Sequence, residues 1–211
     1  MLFIMAVMAG RVTPMFTNNG VPGAKAQRQP QLEKLALGLT LALLLADLLQ
    51  IGGWALSALA ALAAAAHLAR WLLWQPWKTL RNPLVWVLHL AYAWIPVHLL
   101  LRALAAQAWV PASLATHALT AGAIGGMVIG MMTRTALGHT GRPLRAGSTE
   151  VACYALVALA ALVRVAVPLF APTLMYQAVL VASLLWSCGF ALYSLRYWPI
   201  LSRARPDGNP G

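Results

Sequence analysis

The feature that most constrains this chain is a series of apolar runs, each long enough to cross a bilayer and nearly free of charge. They fall at about 34–51, 54–76, 84–106, 112–137, 149–168 and 173–198, each bounded by polar, Pro or Gly breaks. At about 1.5 Å per residue, roughly 20 helical residues cover the ~30 Å hydrocarbon core. The runs are continuous and do not alternate, so they predict helices and not the strands of a barrel. Only 9% of the 211 residues are charged, against roughly 25% in a soluble domain. Such a chain cannot cover a water-facing surface. The expected fold is therefore all-α: one polytopic transmembrane bundle over 1–211, with about six full spans and a truncated first helix.

Residues 1–10 are apolar and Arg11 follows. Ten helical residues reach only about 15 Å. The chain is thus expected to begin partway through a helix, as the C-terminal part of a longer protein, with a polar loop at about 12–33. No basic segment or cleavage site marks a signal peptide. The tail at 199–211 is short, basic and rich in Pro and Gly, and is expected to be mobile.

The net charge is +11. The cations cluster in short loops between apolar runs, which argues for a lipid bilayer as partner and against nucleic acid. One set of loops carries Arg11, Lys25, Arg28, Lys34, Lys78, Arg81, Arg134, Arg142, Arg145, Arg196, Arg203 and Arg205. The opposite turns, near 52–53, 107–111 and 169–172, carry none. By the positive-inside rule the first side and the C-terminus are cytoplasmic. Trp71, Trp74, Trp77, Trp86, Trp109, Tyr197 and Trp198 fall near span ends, as interfacial anchors do. Cys153 and Cys188 lie in apolar runs without a metal-ligand spacing and read as small hydrophobes.

Ionisable groups inside spans default to a functional reading. Asp47 lies near the outer end of its span, where Arg102 and Arg164 also lie; either is able to pair with it. The alternatives are a structural ion pair and a solute or ion path. His67, His89, His98 and His117 fall within spans, and a neutral imidazole is a common metal or haem ligand. Helical rise matches His67 with His89 in depth near the inner side, and His98 with His117 near the outer side. His89 and His98 are turned about 180° apart around one helix, so they cannot share a ligand. Met127, Met131 and Met132 suit either copper(I) or core packing.

The segment from His117 to Pro143 starts as an apolar helix and ends in a polar turn. Gly122, Gly126 and Gly130 share one face, a spacing that lets another helix approach closely. Gly138 and Gly141 permit positive φ. Arg134 and Arg142 offer donors for a carboxylate or phosphate, or else cap a helix end. His139 stands in this turn, too far along the helix from His117 to share an ion with it.

Three stretches together resemble the NnrS family. His117 to Pro143 is similar to its H-A-L-T-x-G-A-I-G, M-T-R and G-H-T-G-R-P run. Gly10-Arg11-Val12-Thr13-Pro14-Met15-Phe16-Thr17-Asn18-Asn19-Gly20 resembles its G-R-x-x-P-x-F-T-x-x-G element. His89-Leu90-Ala91-Tyr92-Ala93-Trp94 resembles its H-L-x-Y-x-W element. The resemblance implies a bacterial inner-membrane protein that binds haem and copper and acts in the nitric oxide response, beside denitrification or nitrosative-stress defence. It carries over Arg11, Tyr92, Arg134 and Arg142 as cofactor-binding residues and His67, His89, His117 and His139 as metal ligands. It assigns no reaction. Members of the family are longer, so the chain corresponds to their C-terminal half, and a missing N-terminal half or a second protomer is an implied partner. The competing readings are a solute or ion transporter, and a membrane assembly subunit that docks through the glycine face.

Overall fold

Pro30 and Pro83 each open a helix in its first turn, where the missing N–H of proline costs no hydrogen bond. The computed structural model describes residues 1–208. Its helices are α1 (Leu2–Gly20), α2 (Pro30–Leu48), α3 (Gly53–Leu73), α4 (Pro83–Ala105), α5 (Ala112–His139), α6 (Ser148–Phe170) and α7 (Met175–Leu201). No strand occurs among the described residues. Short connections reverse the chain between helices, as in other bundles. The chain is an all-α bundle, and α3 to α7 are each long and apolar enough to cross a membrane.

Helix α4 is the central element. Within its membrane-length window 67% of residues are buried, against 22% for the last helix. The glycine face of α5 packs directly on it. A methyl group on Gly122 would overlap the Trp94 ring, and one on Gly126 would lie 2.9 Å from Cβ of Ala91. Gly130 meets Val87 in the same way. The glycine face is therefore consumed inside the chain, and it is not free to dock a separate subunit.

Two boundaries differ from the sequence expectation. The first helix does not stop near Arg11; it runs 19 residues to Gly20, about 28 Å. Pro14 lies inside it, and Ala6, Ala9, Gly10, Thr13, Pro14 and Thr17 form its buried face. The polarity that suggested a loop is absorbed locally. Thr17 donates to the carbonyl of Thr13, and Asn18 holds both the N–H and the carbonyl of Ala26. Only 21–29 is left as the connection to α2. At the other end α7 continues to Leu201, and residues 209–211 of the expected mobile tail lie outside the described residues.

The aromatic anchors also divide. Trp77, Trp109 and Trp198 are exposed, whereas Trp74 and Tyr197 are buried in the core. Cys153 is buried and Cys188 exposed, and both are free thiols.

Candidate functional site

The half of the bundle nearer the α1–α2 and α3–α4 connections encloses a polar network contributed by α1 to α4. Arg70, on the last turn of α3, is 1% exposed. Its Nε and Nη2 donate to the two carboxylate oxygens of Glu33 on α2, each at 2.7 Å. Its Nη1 donates to the carbonyl of Ala6 at 3.0 Å and to the Tyr92 hydroxyl at 3.1 Å. A bidentate pair of this kind offsets the cost of removing both charges from water. The guanidinium also lies over the Trp74 ring, 5.1 Å from its centroid. Gly10 on α1 makes the approach possible, since a methyl group there would occupy the position of the guanidinium.

The partners fix where each proton lies. The Tyr92 oxygen accepts from Arg70, so its own hydrogen donates to Nδ1 of His67 at 2.7 Å. The Thr40 hydroxyl donates to the Ala36 carbonyl, so its oxygen accepts from Nε2 of His67 at 3.0 Å. His67 is therefore a neutral imidazole with both ring nitrogens engaged. Binding a metal there requires displacing Tyr92 or Thr40.

The same reasoning separates the other histidines. Thr17 spends its hydrogen on Thr13, so His89 donates from Nε2 to Thr17 at 2.7 Å. Its Nδ1 lone pair is buried and has no protein partner. Trp74 Nε1 and Thr13 Oγ1 are likewise buried and unpaired, and the Trp74 and His89 rings lie 6.5 Å apart. His98 donates from Nδ1 to the Ala115 carbonyl at 2.7 Å. His117 accepts at Nε2 from Arg164 of α6, at 2.8 Å. His139 ends α5 with its ring exposed. His67 and His89 are linked through Tyr92 and Trp74, whose rings are 4.5 Å apart. His98 and His117 turn to different neighbours and form no pair.

The arginines of the three family-like stretches also part company. Arg11 lies on the exposed face of α1, near its middle, and not in a loop. Arg134 sits over the ring of Phe16, 3.6 Å from its centroid, and joins α5 to α1. Arg142 donates to the carbonyls of Thr140 and Ile200, and so caps two helix ends. Gly141 adopts φ +66°, which closes this turn, while Gly138 remains helical. Asp47 pairs with Arg102 and not with Arg164, so the three residues of a supposed solute path do not assemble.

Sequence reasoning missed Arg70, Glu33 and Glu150. Glu150, 3% exposed, accepts from the Gly147 N–H at 2.7 Å and from Arg196 and Tyr197 at 3.2 Å, which fixes the start of α6 against α7. The available signal for Arg70 was its place one helical turn after His67, on the same face.

The family model described as "NnrS protein" matches residues 1–205. No curated protein and no solved structure matches the chain.

Proposed function

The chain belongs to the NnrS family, and from that premise we propose that it is a haem-binding membrane protein of the nitric oxide response. It is a multi-pass membrane protein; the proposal adds the bacterial inner membrane and a cytoplasmic C-terminus. The basic connections at 21–29, 74–82 and 140–147 support this orientation.

The observation that carries the cofactor reading is the buried, unpaired Nδ1 of His89. His89 would hold the haem iron through this nitrogen, which is wholly buried and which no described residue takes up, whereas buried His98 turns Nδ1 to the Ala115 carbonyl. Thr17 fixes its tautomer by accepting from Nε2, as a supporting partner of a ligating histidine does. His98, through Nε2, and His139, at the exposed end of α5, are further imidazoles with free capacity among the described residues. Copper fits less well. No three His, Cys, Asp or Glu side chains converge among the described residues, so the copper part of the reading rests on the family and on the thioethers of Met131 and Met132, which line one cleft with His139. Bound haem would supply an iron that takes nitric oxide as a ligand. The residues of this chain bury the imidazole and fix its proton on Nε2.

Spectra of the purified protein test the reading. The expected result is a Soret band that is lost in His89→Ala and kept in Asp47→Asn. A wild-type protein without a Soret band after haem supplementation overturns it.

A further inference from the structure

Half-buried Arg164 has no carboxylate among the described residues, and unlike Arg134, which stacks on Phe16, and Arg142, which caps two helix ends, it points to an imidazole. The sequence contains four acidic residues, and each already faces an arginine. Glu33 binds Arg70, Asp47 binds Arg102, Glu150 binds Arg196 and Asp207 binds Arg205. Arg164 instead donates to Nε2 of His117 at 2.8 Å and lies 3.8 Å from the Met175 sulfur. It is six residues, about 9 Å, from the end of α6. A cation at such a depth faces either a partner or a wet cavity.

A cleft of about 380 Å³ opens beside it, between α5, α6 and α7, lined by His117, Thr120, Arg164, Ser183, Trp186 and Ser187. The chemistry of this lining is one-sided. The only lone pair of the His117 ring is turned to Arg164, so its other nitrogen is an N–H donor. The Thr120 hydroxyl is spent on the Thr116 carbonyl. Ser183 and Ser187 lie one turn apart on α7, and both are exposed to the cleft side. The backbone of α5 forms a widened π-helical turn over Ala118–Ile124, immediately after His117; such turns recur at functional sites. A full positive charge, an imidazole N–H and two hydroxyls, with no carboxylate among them, select an oxyanion.

We propose that this cleft binds a phosphate-type oxyanion, carried either by the headgroup of an anionic lipid in the adjoining leaflet or by a free ion. Arg164 supplies the charge, and Ser183 and Ser187 complete the donor set from α7. The site does not use His89, and its test does not use a haem signal.

The experiment measures the thermal unfolding midpoint of the purified full chain in neutral detergent. One arm titrates phosphatidylglycerol against phosphatidylcholine, and the other titrates inorganic phosphate against chloride at matched ionic strength. At least one anion is expected to raise the midpoint in a saturable way. A response to phosphatidylglycerol alone assigns the site to a lipid headgroup, and a response to inorganic phosphate assigns it to a free oxyanion. Arg164→Gln is expected to weaken the apparent affinity about tenfold or more. The double variant Ser183→Ala/Ser187→Ala should weaken it several-fold; its exposed positions let it carry the test if Arg164→Gln does not fold. No shift with either anion, or shifts in both variants equal to that of the wild type, overturns the proposal.

Discussion

Arg70 and Glu33 meet through two parallel N–H···O bonds of 2.7 Å, with Arg70 almost wholly removed from solvent. Removing one partner leaves the other charge buried and uncompensated. Glu33→Gln is therefore expected to destabilise the protein by about 3–5 kcal/mol. The Asp47–Arg102 pair is the control, because the Asp47 side chain is half exposed. Asp47→Asn should cost no more than about 1 kcal/mol. Denaturation of both variants in detergent compares them directly, and equal losses would show that burial does not set the strength of these pairs.

Tyr92 couples that ion pair to His67. Its hydroxyl accepts from Arg70 and donates to His67, so Tyr92→Phe leaves a buried N–H and a buried lone pair without partners. The expected cost is about 1–3 kcal/mol. A hydrogen-bond relay of this kind also predicts coupling. The variants Tyr92→Phe and Thr40→Val should be non-additive in a double-mutant cycle, since both act on the same imidazole. Strict additivity would mean that the two bonds to His67 are independent.

Much of the architecture was legible because a bilayer imposes it. Continuous apolar runs gave α3 to α7, and the four-residue glycine spacing correctly announced a close helix contact. The beginning of the chain was not legible. Thr13, Thr17 and Asn18 look like loop residues, yet Thr17 and Asn18 satisfy their side chains against nearby backbone and Thr13 is buried in the bundle, so α1 persists to Gly20. The polar network escaped for another reason. Glu33 and Arg70 are 37 residues apart, and no local pattern encodes that pairing. The histidines were visible as a set, but their roles depend on which neighbour takes each lone pair. That is settled by Thr17, Thr40, Tyr92 and Arg164, residues whose own sequence positions say nothing about it.

Gly10 tests whether the family-like element at the start of the chain acts through shape. A methyl group there would displace the Arg70 guanidinium, whereas one on Gly38 of α2 meets nothing within 4 Å. Gly10→Ala should break the Arg70 network and sharply lower the yield of folded protein. Gly38→Ala should be neutral or stabilising by up to about 1 kcal/mol, because alanine is the better helix former. Size-exclusion profiles and unfolding midpoints of the two variants check this, and a tolerated Gly10→Ala would show that Arg70 can be held elsewhere.

Arg134 offers the remaining contrast, between charge and stacking. The arginine reads as an anion-binding donor from its position near the polar turn, but its guanidinium lies over Phe16, 3.6 Å from the ring centroid. A planar cation stacks on an aromatic face in a way that an ammonium does not. Arg134→Lys keeps the charge and should still lose part of the contact. Phe16→Leu keeps the apolar bulk and should lose the same part. The coupling between the two positions is expected to be about 0.5–2 kcal/mol, read from a double-mutant cycle of unfolding midpoints at low ionic strength. A negligible coupling energy would show that Arg134 holds the C-terminal end of α5 by charge alone.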